Sequence, residues 1–301
     1  MVEYIPLSDA NLGAVLEVLN RNLEHDGGTT LDLLRYKTLE DPDFDPALTW
    51  VAMADRDVRG VMVGVCRPTE SAPSAAVKFF AVDSEYRNRG IASEMLSRIE
   101  SAVKTAGAET VKIGFSRPNY LMPGLDPRYT VAAAFLLRRG YKRTGEAFNM
   151  DVDLADSDWS TEEIEAKLAA DGIDCRRLAP EEREAFGEWM TEAGYSAGWR
   201  YQTLRAAEMD PPAVFVAEKG GGYVAFACFD GVRPGWFGPM GTLESMRGSG
   251  IGSVTFLRCL QDMKARGYRV CEINSVGPLY FYSKVANAVV SRIFWQFEKR
   301  L

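Results

Sequence analysis

The chain has 301 residues, a hydrophobic content of 47%, a charged content of 26% and a formal net charge of −7. This length predicts two domains, each large enough to bury a core. The acidic balance disfavours a nucleic-acid partner, because phosphate binding needs clustered Lys and Arg. No apolar run approaches a membrane span, and Met1 to Pro6 lacks the basic and apolar regions of a secretion signal. We therefore expect a cytoplasmic protein with no membrane partner.

Cysteine and histidine usage excludes several kinds of site. The five cysteines are odd in number and lack Cys-x-x-Cys spacing, so we expect reduced core residues. The only histidine, His25, makes a multi-histidine metal site impossible, and no metal is expected. A serine–histidine pair is excluded too, unless His25 itself is the base. Its neighbours Glu24 and Asp26 are polar, which favours a surface position.

The first half of the chain is predicted from its apolar spacing and turn residues. Ser8 or Asp9 can cap the first long helix, and Gly107 and Gly140 can close two later helices. The predicted elements are a strand at 2–7, helices from Ser8 and at 31–39, strands at 50–53, 61–66 and 75–82, a helix at 91–106, a strand at 111–115, a helix at 131–139 and an extended run at 141–154.

The same order of elements restarts after a polar stretch. We place an N-terminal domain at 1–154, a linker at 155–171 and a C-terminal domain at 172–301. Within the linker, Ser160 and Glu163 fit a capping box for a helix that ends near Ala170. Alternatively, this helix packs as part of a domain through Trp159 and Ile164.

Two glycine-containing hexapeptides stand between a predicted strand and a predicted helix. They are Arg87–Ala92 and Arg247–Gly252, 160 residues apart. Glycine lets the backbone of such a turn approach a ligand closely. The first N–H groups of a helix have no partner inside it, and the helix dipole favours negative charge there. Each turn is therefore predicted to bind phosphate oxygens.

The two halves match beyond these turns. Ile113 matches Ile273 at the same separation, but Phe135 then aligns with Phe281, which is 146 residues away. The first copy therefore carries 14 extra residues, Arg117 to Thr130, between its fifth strand and the following helix. This insert is rich in Pro, Tyr and Gly.

The spacing Arg-x-x-Gly-x-Gly/Ala between strand and helix resembles the acetyl-CoA-binding motif of the GCN5-related N-acetyltransferases. Two copies resemble a tandem member of that family, over nearly the whole chain. The resemblance implies an α/β (α+β) fold of two domains, each a mixed, mostly antiparallel sheet flanked by helices. It also implies that the fourth and fifth strands separate, that the pantetheine of acetyl-CoA lies in the gap, and that the glycine turn binds the pyrophosphate. The implied carrier-binding residues are Met240, Gly241, Thr242, Arg247, Gly248, Ser249, Gly250, Ile251, Gly252 and Ser253 in the second copy, and Val82, Arg87, Asn88, Arg89, Gly90, Ile91 and Ala92 in the first.

The family commonly protonates the leaving thiolate with a tyrosine on the helix after the fifth strand. Tyr282 stands at the matching position, and Tyr280, on another helical face, is the alternative. The first copy has Leu136 there, which cannot donate a proton. Tyr120 or Tyr129 in the insert are its possible substitutes. We therefore expect the second domain to be catalytic and the first to be degenerate in catalysis.

A carboxylate is the expected base, acting directly or through water. Glu272 lies in an apolar strand beside the implied site, where desolvation would raise its pKa. Lys112 stands at the equivalent position of the first copy, which is what a solvent-facing position would allow. Glu244 is the next candidate. Asn274 and Ser275, at the end of the strand, are candidates for holding the acetyl carbonyl or a water molecule.

The sequence thus predicts an acetyl-CoA-dependent N-acetyltransferase. The acceptor is predicted to be a primary amine of a small molecule, an amino sugar or an aminoacyl-type compound, which attacks directly in a ternary complex. A non-catalytic acyl-CoA-binding module is the alternative. A nucleotide-phosphate binder fits less well, because the turns lack a Walker-type Lys-Ser/Thr ending. The sequence is compatible with a monomer or a homodimer. It does not show which segment supplies the last strand of the second sheet.

Overall fold

The computed structural model describes residues 1–70, 72–155 and 159–301. The chain forms two compact units, Met1–Ala147 with Ile293–Leu301, and Phe148–Arg292. Residues 156–158 of the expected linker lie outside the described residues. The expected boundary after residue 154 and these units differ, because the linker helix lies in the second unit and the last nine residues lie in the first.

The first half of the chain follows the predicted order of strands and helices. Side chains along a strand alternate between the two faces of a sheet, and helices bury one face. The elements are β1 (Glu3–Ile5), α1 (Asp9–Asn22), α2 (Leu31–Lys37), β2 (Thr49–Ala54), β3 (Asp57–Arg67), β4 (Ser74–Val82), α3 (Ile91–Thr105), β5 (Thr110–Ile113), α4 (Thr130–Arg138) and β6 (Lys142–Asp153).

The second half repeats this order after the helix that was expected in the linker. That helix is α5, which ends at the predicted Ala170. The elements are α5 (Glu162–Ala170), β7 (Ile173–Arg177), α6 (Arg183–Glu192), α7 (Ala197–Ala206), β8 (Val214–Lys219), β9 (Gly222–Phe229), β10 (Trp236–Thr242), α8 (Ile251–Ala265), β11 (Val270–Ile273), α9 (Leu279–Ala286) and β12 (Val289–Arg300).

Each unit is built on one mixed, mostly antiparallel sheet, as predicted. The strand order is β1-β2-β3-β4-β5-β12 in the first unit and β6-β11-β10-β9-β8-β7 in the second. The pairs β4–β5 and β10–β11 are parallel. In the first unit the core lies between the sheet and α3, where Val77 and Val111 pack with Ile99. In the second unit, α8 contributes Phe256 and Leu260 to the core.

The two halves of the sequence exchange their last strands. In the second unit, β11 pairs with β6, a strand of the first copy, through partners such as Glu272 and Asp151. In the first unit, β5 pairs with the end of β12, through partners such as Val111 and Lys299. The final strand of the second sheet therefore comes from the first copy of the repeat, which answers the question that the sequence pattern leaves open.

The 14-residue insert of the first copy packs into the first unit. Asn119, Tyr120 and Leu121 are buried. The insert also meets the neighbouring strands, since the Phe115 N–H donates to the carbonyl of Met122 and Leu125 forms a β-bridge with Trp295. The segment is a fixed part of the core.

Two further observations bear on the expectations from composition. All five cysteines are free thiols; Cys66 and Cys175 are half-buried and the other three are buried. Among the residues described above, no helix combines the length and the apolar character that crossing a bilayer would require.

Candidate functional site

The second glycine turn forms the N-terminus of α8. A short 3-10 helix, Glu244–Met246, follows β10, and the backbone then reverses at Gly248 and Gly250, with φ values of 82° and 97°. These left-handed values favour glycine strongly. The hydroxyl of Ser249 donates to the Met246 carbonyl at 2.7 Å and tightens the turn. Because Gly250 is the N-cap and carries no capping side chain, the first N–H groups of α8 face outward.

The side chain of Arg247 stands at the mouth of this turn. It is 68% exposed, and its nearest carboxylate is Glu244 at 4.0 Å. Behind the turn, Ile251 is buried and anchors the helix, while Ser253 is half-buried. A Cβ built on Gly252 would lie 3.5 Å from Met240 Cε and 3.6 Å from Thr242 Oγ1. The turn therefore sits directly beside the strand residues that were predicted to bind the carrier.

Strands β10 and β11 pair only over a short stretch before they separate. Their partners are Trp236 with Glu272 and Phe237 with Ile273. Beyond Phe237, the pairing of β10 with β9 shifts in register before Met240, and Met240, Gly241 and Thr242 keep a partner on that side. Pro239 has no N–H, which leaves Met240, Gly241 and Thr242 as the residues of this segment with backbone donors. The edge of β10 that faces β11 is thus suited to pair with the amides of a bound molecule.

Tyr282 lies on α9 in the core of the second unit. It is 6% exposed, and its ring packs against Phe256 at 5.2 Å and Phe237 at 6.1 Å between centroids. Burial raises the pKa of the phenol well above its usual value, and the nearby Cys271 acts in the same direction. The phenol therefore keeps its proton at physiological pH. The alternative, Tyr280, is 77% exposed.

Glu272 is held by two donors. Asn149 Nδ2 donates to one carboxylate oxygen at 2.5 Å, and Trp236 Nε1 donates to the other at 2.8 Å. Because Phe237 contacts α8 and side chains alternate along a strand, Trp236 and Glu272 lie on the opposite face of the sheet. Of the two positions that the sequence left open for Glu272, desolvated beside the site or solvent-facing, the structure shows a half-buried carboxylate with a fixed orientation.

The other polar candidates differ in their surroundings. The backbone N–H of Ser275 donates to Asn149 Oδ1 at 3.0 Å, while Ser275 Oγ is buried without a hydrogen-bond partner. The backbone N–H of Asn274 donates to the carbonyl of Phe237, where the strands separate. The side chain of Glu244 is 92% exposed. Of these residues, Ser275 is the one with a buried hydroxyl that lacks a hydrogen-bond partner.

An aromatic cluster in the second unit was missed by sequence reasoning. Tyr195, between α6 and α7, stacks on Trp199 with ring centroids 5.9 Å apart and contacts Trp189 at 5.6 Å. A Cβ on Gly241 would lie 2.5 Å from the Tyr195 ring, so this ring lies directly against β10. Burial raises the pKa of the Tyr195 phenol, although Arg247 opposes that shift. The absent side chain at Gly241 was the one sequence signal for this contact.

The first glycine turn has a similar backbone conformation, but its arginine makes different contacts. Asn88 and Gly90 have φ values of 60° and 82°, and Gly90 is the N-cap of α3. The guanidinium of Arg87, however, donates to the Val82 carbonyl at 3.0 Å and to Asn22 Oδ1 at 2.8 Å. Arg89 stacks on Tyr86. The turn continues into α3 through a buried Ile91 and a half-buried Ala92.

In the first unit, a leucine occupies the position equivalent to Tyr282. Leu136 is completely buried there. Tyr129 donates its hydroxyl to Asp26 at 3.2 Å and accepts the backbone N–H of His25 at 2.9 Å. Tyr120 is buried and packs edge-on against Phe115. Both insert tyrosines therefore serve packing contacts within the unit, and His25 lies against Tyr129.

Two family models match the sequence. The model described as an Acetyltransferase (GNAT) domain matches residues 45–143, and the one described as the Acetyltransferase (GNAT) family matches residues 176–279. Together they match more than half of the chain, and each contains one of the two glycine turns. A search of curated protein sequences finds no match.

Solved structures share the fold at low identity. A GCN5-related glucosamine N-acetyltransferase region of a fungal multi-domain beta-N-acetylglucosaminidase has a TM-score of 0.79 and 17% identity over 99% of this chain, which spans only 38% of that protein. A GCN5-related N-acetyltransferase from Sphaerobacter thermophilus has a TM-score of 0.70 and 17% identity, over 99% of this chain and 95% of that one. A tandem GNAT protein from the clavulanic acid biosynthesis pathway has a TM-score of 0.70 and 16% identity, over 100% and 98%.

Proposed function

Because the chain belongs to the GCN5-related N-acetyltransferase family as a tandem member, we propose that it moves acetyl from acetyl-CoA to a primary amine of a small molecule. The amine attacks the thioester directly, with both substrates bound. The observation that carries this proposal is the second glycine turn, which caps α8 beside a strand edge left unpaired after Phe237.

The carrier is proposed to bind along this edge. Its pyrophosphate lies against the N-terminus of α8 and Arg247, where the helix dipole and the exposed guanidinium both favour negative charge. Its pantetheine amides pair with the β10 backbone from Met240 to Thr242. The thioester then lies where β10 and β11 separate, next to Phe237 and Ile273.

Glu272 is proposed to accept the proton of the amine, directly or through water. The donors Asn149 and Trp236 hold its two oxygens in a fixed orientation, and each oxygen keeps lone-pair capacity for one more hydrogen bond. The unpartnered hydroxyl of Ser275 is proposed to hold the acetyl carbonyl or an ordered water. Tyr282 is proposed to protonate the leaving thiolate, a task for which a phenol that stays protonated is suited.

An amino sugar is the preferred acceptor class, with an aminoacyl-type amine as the second. Trp189, Tyr195 and Trp199 offer flat, partly exposed rings. Tyr195 lies against Gly241, whose neighbours Met240 and Thr242 face α8, so the rings lie on the opposite face of the sheet, which carries Glu272. Aromatic side chains combine a large apolar surface with a polar edge, which suits a sugar ring. The net charge of −7 also attracts cationic amines. One structural relative is described as a glucosamine N-acetyltransferase region.

Release of free CoA from acetyl-CoA, measured with and without glucosamine or an amino acid amide, tests this function. We expect release that requires an amine and mass-spectrometric detection of the N-acetylated product. Glu272→Gln should lower kcat/KM by roughly 10²–10⁴-fold if Glu272 is the base. Glu17→Gln is the control, because that side chain is exposed on α1. Tight acetyl-CoA binding without release for any amine would instead identify an acyl-CoA-binding module.

A further inference from the structure

A cavity of about 240 Å³ in the first unit lies away from its glycine turn. It is lined by strand residues that include Ala76 and Lys112 and by the segment Phe115 to Arg117. Their neighbours Val77 and Val111 pack in the core against α3, so Ala76 and Lys112 lie on the other face of the sheet. Because one water occupies about 30 Å³ of liquid, the cavity has room for a small organic molecule.

Two residues of the cavity lining, Arg67 and Ser116, each have a buried polar atom without a hydrogen-bond partner. Arg67 and Ser116 are 7% and 5% exposed. Arg67 Nε and Ser116 Oγ are both buried without a hydrogen bond. The two terminal nitrogens of Arg67 are already used by Asp41, Asp43 and the Ser116 carbonyl. Leaving a buried polar group unpaired is costly, so the spare Nε–H and the hydroxyl indicate a site that a polar ligand completes.

The charge at this cavity is positive. Behind it, the cations Arg67 and Lys78 are balanced by Asp41 and Asp43. At its mouth, the ammonium of Lys112 is 4.0 Å from Glu298, and Arg117 stacks on the Phe115 ring at 4.2 Å. Two cations thus face one carboxylate. A positively lined concavity with spare N–H and O–H donors favours a negatively charged ligand.

The second unit carries opposite chemistry at the same register. There Trp236 pairs with Glu272, and the indole fills the space beside the carboxylate. In the first unit Ala76 pairs with Lys112. The exchange of Trp for Ala vacates the volume of an indole, and the exchange of Glu for Lys reverses the sign of the charge. The cavity is therefore a consequence of how the two copies have diverged.

We propose that the first unit binds a small oxyanion, a carboxylate- or phosphate-bearing molecule, in this cavity. One ligand oxygen accepts hydrogen bonds from Arg67 Nε and Ser116 Oγ, and Lys112 and Arg117 neutralise its charge. This site is separate from the acetyl-CoA turn at Arg87–Ala92. It does not depend on the reaction proposed for the second unit.

Calorimetric titration of the full chain at constant ionic strength tests the proposal, with malonate in one arm and inorganic phosphate in the other. We expect one of the two to bind, and the tighter arm identifies the ligand class. Replacing both Lys112 and Arg117 by Gln should weaken that binding at least about tenfold, because it removes the two cations that neutralise the charge of the ligand. These side chains are at the mouth, so the fold should be kept.

Ser116→Ala tests the buried donor separately. It removes an unpaired hydroxyl, so the free energy of unfolding should be unchanged or higher while anion affinity falls. Lys104→Gln, which removes a cation from an exposed position on α3, is the matched control and should leave affinity unchanged. No binding of either anion, or binding that is equally tight in the Lys112/Arg117 variant, would overturn the proposal.

Discussion

At the scale of single residues, Tyr282 combines a buried hydroxyl with a position beside the separating strands. Tyr282→Phe should lower kcat by roughly 10²–10⁴-fold if general-acid catalysis is its whole role. Acetyl-CoA affinity should not change, because Phe keeps the ring contacts with Phe256 and Phe237. Steady-state kinetics and calorimetry measure the two quantities.

Tyr280→Phe is the control for that variant, since its ring is 77% exposed on the same helix. It should keep the kcat of the wild type. If Tyr282→Phe turned over at the normal rate, the proton would come from Tyr280, from water or from another phenol. Tyr195 would then be the first to mutate, because its ring lies against Gly241.

A second residue-scale prediction concerns Asp41, which is buried between two cations, Arg67 and Lys78. Burial alone would raise the pKa of this carboxyl, but hydrogen bonds and charge from Arg67 and Lys78 outweigh it and lower the pKa from 3.8 to about 2. A carboxyl with a lowered folded-state pKa stabilises the fold above its unfolded pKa. That stability is lost as pH falls from about 3.8 to about 2.

Asp41→Asn should therefore remove this part of the acid dependence in chemical denaturation measured across that pH range. At neutral pH it should cost about 3–5 kcal/mol, because it leaves buried cations without their carboxylate. Asp57→Asn breaks an exposed pair with Arg59 and should cost less than about 1 kcal/mol. An unchanged acid dependence in Asp41→Asn would contradict the assignment.

At the scale of elements, the glycine turn before α8 can be tested through its arginine. Arg247→Glu puts a negative charge beside the proposed pyrophosphate and should weaken acetyl-CoA binding at least about tenfold, a loss of about 1.4 kcal/mol. Lys219→Glu makes the same charge change at an exposed position at the end of β8 and should have little effect. Equal acetyl-CoA affinities in the two variants would show that the pyrophosphate does not bind beside Arg247.

Gly250→Val is a less clean test of the same turn. A Cβ at Gly250 would lie 3.0 Å from Ile164 Cγ2 on α5, and the φ of 97° disfavours any L side chain. Loss of binding in that variant would thus combine a blocked turn with displaced packing. The sequence could not reveal this contact, because it depends on where α5 folds back.

The exchanged strand gives a second element-scale prediction. Deleting residues 293–301 removes the partner of β5, including the buried Phe297. Hydrogen-exchange protection should be lost at the β5 amides that bond to β12, since that edge becomes unpaired, while β5 keeps its pairing with β4 on the other side. Arg300→Ala keeps the strand and should retain protection. Full protection in the deletion variant would mean that another segment can pair with β5.

The sequence predicted the type and order of the elements well, and for a physical reason. Helices and strands follow local periodicity, and the repeat doubled the evidence for each one. The pairing of strands, by contrast, joins segments that are far apart in the sequence. β6 and β12 occupy equivalent places in the repeat and are both 12-residue strands, so no residue pattern shows which sheet each one joins.

The same limit applies to the candidate site. The glycine turns and Tyr282 could be found because they lie in a local motif. Asn149 and Trp236 could not, because they meet Glu272 only once β6 and β10 pair on either side of β11. Tyr195 was missed because a glycine such as Gly241 indicates that something can approach closely, but not which residue does.

At the scale of the whole molecule, the two units are predicted to be unequal. Leu136 replaces the phenol in the first, and the guanidinium of Arg87 is engaged by Val82 and Asn22. Replacing Arg87 by Glu and Gly90 by Val should leave most turnover. The same changes at Arg247 and Gly250 should abolish it, as measured by release of free CoA.

Equilibrium titration of acetyl-CoA provides an independent check on these two double variants, because it counts occupied sites whether or not they turn over. If turnover were lost in the variant of the first turn and kept in the variant of the second, Leu136 would be a misleading sign that the first unit is inactive. Tyr120 and Tyr129 in the insert would then be the residues to replace.

The exchange of β6 and β12 also bears on how such a gene can change over time. A deletion that removed the first copy would take with it the strand that pairs with β11 and the Asn149 donor to Glu272. The second sheet thus depends on strand β6 of the first copy, even though the first copy lacks the expected proton donor. The first copy can change without disturbing the second sheet only at positions outside β6. The residues that line the cavity beside Lys112 are among these positions.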